Sequence, residues 1–262
     1  MTNILWAGLI IGSIGLLGGI LLCVVSKLCQ TNKSNEKLEK IRAALPGANC
    51  GSCGFAGCDA YAEAVEQGNA EPGLCAPGGT QTAAALSEIL GVAVDTTPKV
   101  AFAGCGGCNK KAVPRANYTG LASCAAAAAL GGQKLCQNSC LGLGDCVTAC
   151  EFNGLQVQNG LVSVLSENCV GCGRCVAVCP RGILSLHPAG KKHARVVCGN
   201  TQKGPAAKKG CAVSCIGCGL CAKKCPAGAV TVQHFLARID PEKCTACGNC
   251  VAACPQKVIV LQ

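Results

Sequence analysis

Residues 215–226 read CIGCGLCAKKCP, the spacing C-x2-C-x2-C-x3-C-P. Short steps hold the first three thiols on one tight loop. The last cysteine stands against a proline, which cannot donate a hydrogen bond to a continuing helix. The same frame recurs at Cys169, Cys172, Cys175 and Cys179 before Pro180, and at Cys244, Cys247, Cys250 and Cys254 before Pro255. In such runs three thiolates take three corners of one [4Fe–4S] cube, while the fourth cysteine reaches the other cube of a pair. A C-x2-C pair alone also suits zinc. Three complete runs ending in Cys-Pro favour iron and sulfur.

The C-terminal pair then assigns itself: Cys215, Cys218, Cys221 and Cys254 for one cluster, and Cys225, Cys244, Cys247 and Cys250 for the other. Upstream, Cys150, Cys169, Cys172 and Cys175 make a complete set. Its neighbour is not complete. CLGLGDCVTAC at 140–150 keeps Cys140 and Cys146 in frame, and Cys179 belongs with them, but Leu143 stands where the sister motif has Cys218. Cys136 is the nearest thiol in sequence for that corner; a three-iron centre is the alternative. Glu151 also replaces the usual proline.

Residues 134–157 align without a gap to 209–232, KVAFAGC at 99–105 resembles ARVVCGN at 194–200, and each unit carries a second motif downstream. A duplicated two-motif module is implied. Ahead of it, PGANCGSCGFAGC and a later cysteine place Cys50, Cys53, Cys58 and Cys75 at C-x2-C-x4-C-x16-C, a self-contained fifth site. Cys105, Cys108, Cys124, Cys198 and Cys211 are left over. They suggest a sixth cluster, drawn from Cys105, Cys124, Cys198 and Cys211, or else free buried thiols. Five or six clusters are expected.

Cysteine makes up 27 of 262 residues and aromatics only 3%, so a conventional aromatic-rich core is excluded and another stabiliser is required. The formal charge of +10 resembles a nucleic-acid signal. Each filled four-thiolate site carries roughly −2, so several would offset it, and no nucleic-acid partner is expected. Lys110 and Lys111, the KKHAR run at 191–195, and the Lys pairs at 208–209 and 223–224 balance that charge or dock an acidic redox partner. His187, His193 and His234 are isolated and read as surface or turn residues. No phosphate-binding glycine loop appears, and no catalytic constellation is expected.

Residues 4–26 carry no charge. As a helix they would extend roughly 34 Å, enough to cross a bilayer. A cleaved signal peptide fits less well, since no Lys or Arg precedes the run and no small-residue cleavage site follows. Lys27, Lys33, Lys37, Lys40 and Arg42 follow it, which places everything after residue 27 in the cytoplasm. Reduced cytoplasmic thiols then read as metal ligands rather than disulfides, with Cys23 and Cys29 incidental.

The order of anchor, PGANCGSCGFAGC…C domain and cluster modules resembles the iron–sulfur B-type subunit of the Rnf complex, a membrane-bound, ion-translocating ferredoxin:NAD oxidoreductase. The resemblance extends over essentially the whole chain, and GLASCAAAAALGGQKLCQNSCLGLGDCVTAC at 120–150 is similar to its longer, cluster-rich members. It implies electrons arriving from soluble ferredoxin and passing to other membrane and peripheral subunits, in the plasma membrane, with no substrate-conversion site on this chain. The same wire could serve a membrane-bound reductase of a cytoplasmic redox regulator. The expected fold is α+β: an anchor at 1–27, a stalk at 28–45, a four-cysteine domain at 46–80, and a connecting Ala/Gly-rich segment at 81–133. A ferredoxin-like module at 134–190, a linker at 191–208 and a second module at 209–262 follow.

Overall fold

The computed structural model describes residues 12, 15–24, 36–94 and 97–262. Residues 15–24 are helical. Just over half of the apolar run at 4–26, with Cys29 and the stalk residues 28–35, lies outside the described residues. Among the described residues no helix is long and apolar enough to cross a membrane.

The chain divides into two compact units, one reaching Leu74 and resuming at Gln81–Val94, the other holding Cys75–Thr80 and Asp95–Gln262. In the first unit, α1 (Glu36–Ala44) packs on α2 (Cys58–Glu66). Ile41, Tyr61, Ala62, Val65 and Leu86 form its buried set. Arg42 bridges to Asp59 at 3.0 Å and Glu63 at 3.2 Å; these pairs are exposed and contribute little. From α3 (Gly79–Leu90), Thr82 Oγ1 donates to Ala44 O at 3.0 Å and so satisfies a terminal carbonyl of α1.

The second unit contains the duplicated module twice. In the first copy the outer strands β1 (Lys99–Ala103) and β4 (Leu184–Pro188) pair antiparallel, with Ala101 opposite Leu186. The inner hairpin joins β2 (Leu155–Gln158) to β3 (Leu161–Val164). Asn159 and Gly160 both adopt positive φ, the two-residue turn that matches strand twist. Helix α4 (Cys124–Ala129) is followed by α5 (Asp145–Thr148) and α6 (Arg174–Val178), each of the last two opening after a cysteine loop. The second copy repeats the plan. Strand β5 (Ala194–Val196) pairs with β8 (Ile259–Leu261), and β6 (Val230–Gln233) with β7 (Leu236–Ile239). Its helices are α7 (Gly204–Gly210), α8 (Leu220–Lys223) and α9 (Asn249–Ala253).

Both modules therefore begin earlier in the chain than spacing implies. The strand at 99–103 lies inside the segment read as a connector, yet it pairs with 184–188, so 104–133 belongs to the first module, where it carries an insertion relative to the shorter counterpart 199–208. Likewise β5 lies in the segment read as a linker. The cause is non-local: an outer strand is stabilised by a partner far along the chain, which local pattern does not reveal.

Each core is a shell of aliphatic side chains around thiols. Val230, Leu236, Val258 and Ile259 surround Cys215, Cys221 and Cys250, and Leu155, Val162, Ile183 and Leu184 surround Cys140, Cys146 and Cys175. The modules meet where the Arg195 guanidinium lies 5.0 Å over the Phe102 ring. Arg195 Nε donates to His193 Nε2 at 2.9 Å. His193 is thus 1% exposed and hydrogen-bonded rather than a surface residue. Burial, with Arg195 and His193 nearby, pushes His187 down to about 4, so it stays neutral at physiological pH.

Candidate iron–sulfur centres

The cysteine loops share one backbone device. Between the first and second cysteine positions, and again just after the second, the chain turns left-handed. These residues are Gly142 and Gly144, Gly171 and Gly173, Gly217 and Gly219, and Ala246 and Gly248. The double turn curls the loop so that its thiols face inward, and the third cysteine enters the helix that follows. The loop with Leu143 keeps both turns, at φ 69° and 94°, so its cluster-binding shape survives the loss of a thiol.

Three pockets, each lined by four cysteines, show the result. One is lined by Cys215, Cys218, Cys221 and Cys254. Another is lined by Cys150, Cys169, Cys172 and Cys175. Burial pushes the Cys175 thiol up to about 11, with Cys172, Cys169 and Cys150 adding their charge. In the remaining loop, Cys250 lies under the influence of Cys244 and Cys225. Among the described residues no three Cys, His, Asp or Glu side chains gather tightly enough for a single metal ion. Four thiols spread around a cavity suit a multi-iron cluster better than zinc, whose sulfurs sit at about 2.3 Å from one centre.

Backbone N–H groups point at several sulfurs. Ala101 N donates to Cys169 Sγ at 3.3 Å, Gly154 N to Cys150 Sγ at 3.3 Å, and Ala194 N to Cys244 Sγ at 3.4 Å. Such bonds stabilise thiolate charge and set cluster potentials. Glu151, standing where the other runs have proline, pairs with Arg174 beside the Cys172 loop.

The incomplete site gains its fourth thiol from the insertion. Its cavity is lined by Cys140, Cys146, Cys179 and Cys124. Burial pushes Cys146 up to about 12, reinforced by Cys140, Cys124 and Cys179. Cys136 does not line this cavity. Cys124 opens α4, which is held at both ends. Asp145, one residue before Cys146, accepts from Cys124 N at 2.7 Å, Ala125 N at 3.1 Å and Ser123 Oγ at 3.0 Å. Burial alone would raise the Asp145 carboxyl, but these donors leave it below its ordinary value. At the far end Arg115 donates to Leu130 O and Gly132 O, and Arg181 to Gly131 O. Leu143 packs with Tyr118 and Ala128 against Cys124, Ala127 and Leu141. In the sister loop Cys218 is exposed, whereas here the insertion covers that corner with apolar contacts and delivers a thiol from the side. Asp145→Asn removes one of two acceptor oxygens and should loosen α4 by about 1–2 kcal/mol. Thermal bleaching of the brown chromophore at a lower temperature would show it.

Cys136 is placed elsewhere. Burial raises its thiol, and Cys105 and Cys211 add to the rise. Burial likewise raises Cys211, with Cys105 and Cys108 contributing. A Cβ on Gly107 would stand 3.3 Å from Cys211 Sγ and 3.6 Å from Cys105 Sγ, so both thiols flank the Cys105–Cys108 loop. Ala112 bridges Cys211 in antiparallel fashion, which ties this loop to α7. Cys198 repeats Cys105: its sulfur accepts from Cys215 N at 3.3 Å and Asn200 N at 3.5 Å, as that of Cys105 accepts from Cys140 N and Gly107 N at 3.4 Å, and burial pushes Cys198 up to about 11 beside Cys215 and Cys136. Of the thiols expected together in a sixth site, Cys105, Cys198 and Cys211 lie in the neighbourhood of Cys136, whereas Cys124 lines the other cavity. The equivalence of Cys105 with Cys198 and of Cys136 with Cys211 in the duplication was the available signal; nothing local marked Cys124 or Asp145.

In the first unit the loop before α2 bears Cys50 and Cys53, and Cys58 begins the helix. Asn49, at φ 47°, turns this loop, and its Oδ1 accepts from Cys58 N at 2.8 Å. Cys75 follows Leu74, whose N–H donates to Tyr61 Oη at 3.2 Å.

Residues 45–77 match the family model described as "Putative Fe-S cluster". Residues 168–229 and 214–258 match the 4Fe-4S dicluster domain. The chain is 42% identical over 255 residues to the B-type subunit of an ion-translocating oxidoreductase complex from Methanosarcina acetivorans, an alignment covering 97% of this chain and 96% of that protein. It is 41% identical over 248 residues to the B-type subunit of the proton-translocating ferredoxin:NAD(+) oxidoreductase complex of Clostridium ljungdahlii, with 93% and 87% covered. Identity is also 41%, over 238 residues, to the counterpart in the Na(+)-translocating complex of Acetobacterium woodii, with 90% and 71% covered.

Proposed function

Because the chain belongs to the family of B-type subunits of the ion-translocating ferredoxin:NAD(+) oxidoreductase (Rnf) complexes, we propose that its cysteines hold six [4Fe–4S] clusters and pass electrons from reduced ferredoxin to neighbouring subunits. The protein is an electron-transfer subunit of an ion-translocating oxidoreductase complex, built on iron–sulfur and 4Fe-4S dicluster domains. Its relatives' place in such complexes favours this reading over a reductase of a soluble regulator.

Six ligand sets are proposed, three of them supported by a shared pocket lining. Cys50, Cys53, Cys58 and Cys75 serve the first domain. Cys105, Cys136, Cys198 and Cys211, equivalent in pairs across the duplication, serve the site between the modules. Cys124, Cys140, Cys146 and Cys179, then Cys150, Cys169, Cys172 and Cys175, serve the first module. Cys215, Cys218, Cys221 and Cys254, then Cys225, Cys244, Cys247 and Cys250, serve the second. The observation that carries this reading is the lining of three separate cavities by four cysteines each. When bound, each cluster supplies one-electron transfer at a potential set by its surroundings. The chain's own part is to hold the thiolates, donate N–H groups to them and exclude water with the aliphatic shell.

Electron entry is assigned to the second module. Cys218 and Cys247 are its exposed thiols, and exposed Lys223, Lys224 and Lys243 stand near them in the chain. An acidic ferredoxin would be steered there, so its rate of electron delivery should fall steeply as salt rises. A rate indifferent to salt removes the docking assignment. The apolar run at 4–26 is assigned as a single anchor with the clusters on the cytoplasmic side. Iron analysis with low-temperature EPR on anaerobic protein tests the whole reading. About twenty-four irons per chain are expected for six cubes; mainly zinc would overturn it.

A further inference from the structure

Lys134 is 3% exposed. Its ammonium donates to Gly107 O at 2.9 Å and Gly160 O at 2.7 Å, and among the described residues no carboxylate forms an ion pair with it. Two carbonyl dipoles offset only part of the cost of burying a charge, and the remainder calls for negative charge close by. The two carbonyls indicate where that charge lies. Gly107 stands between Cys105 and Cys108. Gly160 backs onto the other loop, since a Cβ on Gly142 would meet its backbone at 2.5 Å. The positive charge of Lys134 acts on Cys140 and on Cys211, which belong to different ligand sets.

The duplication supplies an internal comparison. Lys134 and Lys209 occupy the same position in KLCQNSC and KGCAVSC, but Lys209 is exposed. Only the first copy draws this lysine inside, because its longer segment at 104–133 packs over it, Gly107 accepting from the ammonium and Pro114 bridging the Lys134 backbone.

We propose that Lys134 is a tuning residue whose buried ammonium raises the reduction potential of both clusters flanking it, those of the Cys105 and the Cys140 sets. One-electron reduction takes a four-thiolate site from roughly −2 to −3 with no bond made or broken. A fixed positive charge therefore favours the reduced form. Inside the protein that attraction is neither diluted by water nor screened by salt. The inference rests on the six-cluster reading above.

The test is an EPR-monitored redox titration of the full chain, with iron analysis, for Lys134→Gln and Lys209→Gln. The amide keeps two N–H donors without the charge, on a side chain one atom shorter. Lys134→Gln is expected to keep its iron and shift two clusters negative. At a fixed poise their ratio of reduced to oxidised form should fall about tenfold, equivalent to about 59 mV for one electron. Lys209→Gln should leave every potential in place. Unchanged potentials in fully loaded Lys134→Gln overturn the proposal. If that variant loses iron, Lys134→Arg decides. Retained iron and potentials with arginine support a role for charge, while loss in both variants shows that fit governs the site and overturns it. Failure of the six-cluster reading is visible separately, as about twenty irons or fewer in the unsubstituted protein, and it takes this inference with it.

Discussion

Cys124→Ser is expected to convert one cubane into a three-iron centre, visible by EPR in the oxidised protein, at a cost of about one iron per chain. Cys124 lines the cavity of Cys140, Cys146 and Cys179, and α4 holds it there through Asp145. Without its thiolate one corner iron has no protein ligand and is free to leave. Cys136→Ser should leave that site intact and act instead on the set of Cys105, Cys198 and Cys211. The two substitutions thus separate in the spectrum, although both cysteines precede the same motif. A rescue sharpens the test. Leu143 occupies the position of Cys218 in a loop that retains its left-handed turns. Adding Leu143→Cys to Cys124→Ser should restore the cubane with ferredoxin-like ligation. Identical spectra for Cys124→Ser and Cys136→Ser, or a three-iron signal in the second alone, would show that Cys124 is not the missing corner.

Gly171→Ala is the second large effect. Gly171 lies at φ 70°, and a Cβ there would approach Lys99 O to 2.3 Å, against the backbone of β1. The left-handed conformation costs alanine about 1–2 kcal/mol, and the clash adds about 1–3 kcal/mol because a paired strand cannot retreat. Loss of the chromophore on heating should move down by about 5–15 °C, with depletion of the cluster of Cys150, Cys169, Cys172 and Cys175. Gly173→Ala is the control. Its φ is 79°, but the nearest atom to a Cβ is Leu186 Cδ1 at 3.4 Å, so the conformational cost alone should appear. Equal losses in both would show that contact with β1 is unimportant. The second module already tolerates Ala246 at the matching position, at φ 57°.

Much of this was legible in the chain itself. The runs ending in Pro180, Pro226 and Pro255 carry their chemistry in their spacing, since a short loop can present three thiols in only a few ways. The duplication likewise showed in the gapless match of 134–157 to 209–232. The exceptions share one physical cause. Ser123, Cys124 and Asp145 are brought together across about twenty residues by hydrogen bonds, and β1 finds β4 across more than eighty. Neither has a period or a fixed offset to read. Lys134 and Lys209 look alike in sequence, yet one is buried and the other exposed, because an insertion packs over only the first.

The sequence alone determined the cofactor type, the self-contained four-cysteine domain as an expectation, and three ligand loops with their exchanged fourth cysteines. These depend on steric limits acting over ten or eleven residues. The tertiary structure brought Cys124, and not Cys136, to the cavity of Cys140, Cys146 and Cys179, and Cys136 to the neighbourhood of Cys105 and Cys211. Those choices depend on how an inserted helix packs. Leu143 marks the division: in sequence it reads as a lost ligand, and in the fold it is the apolar seat on which the helix bearing its replacement rests.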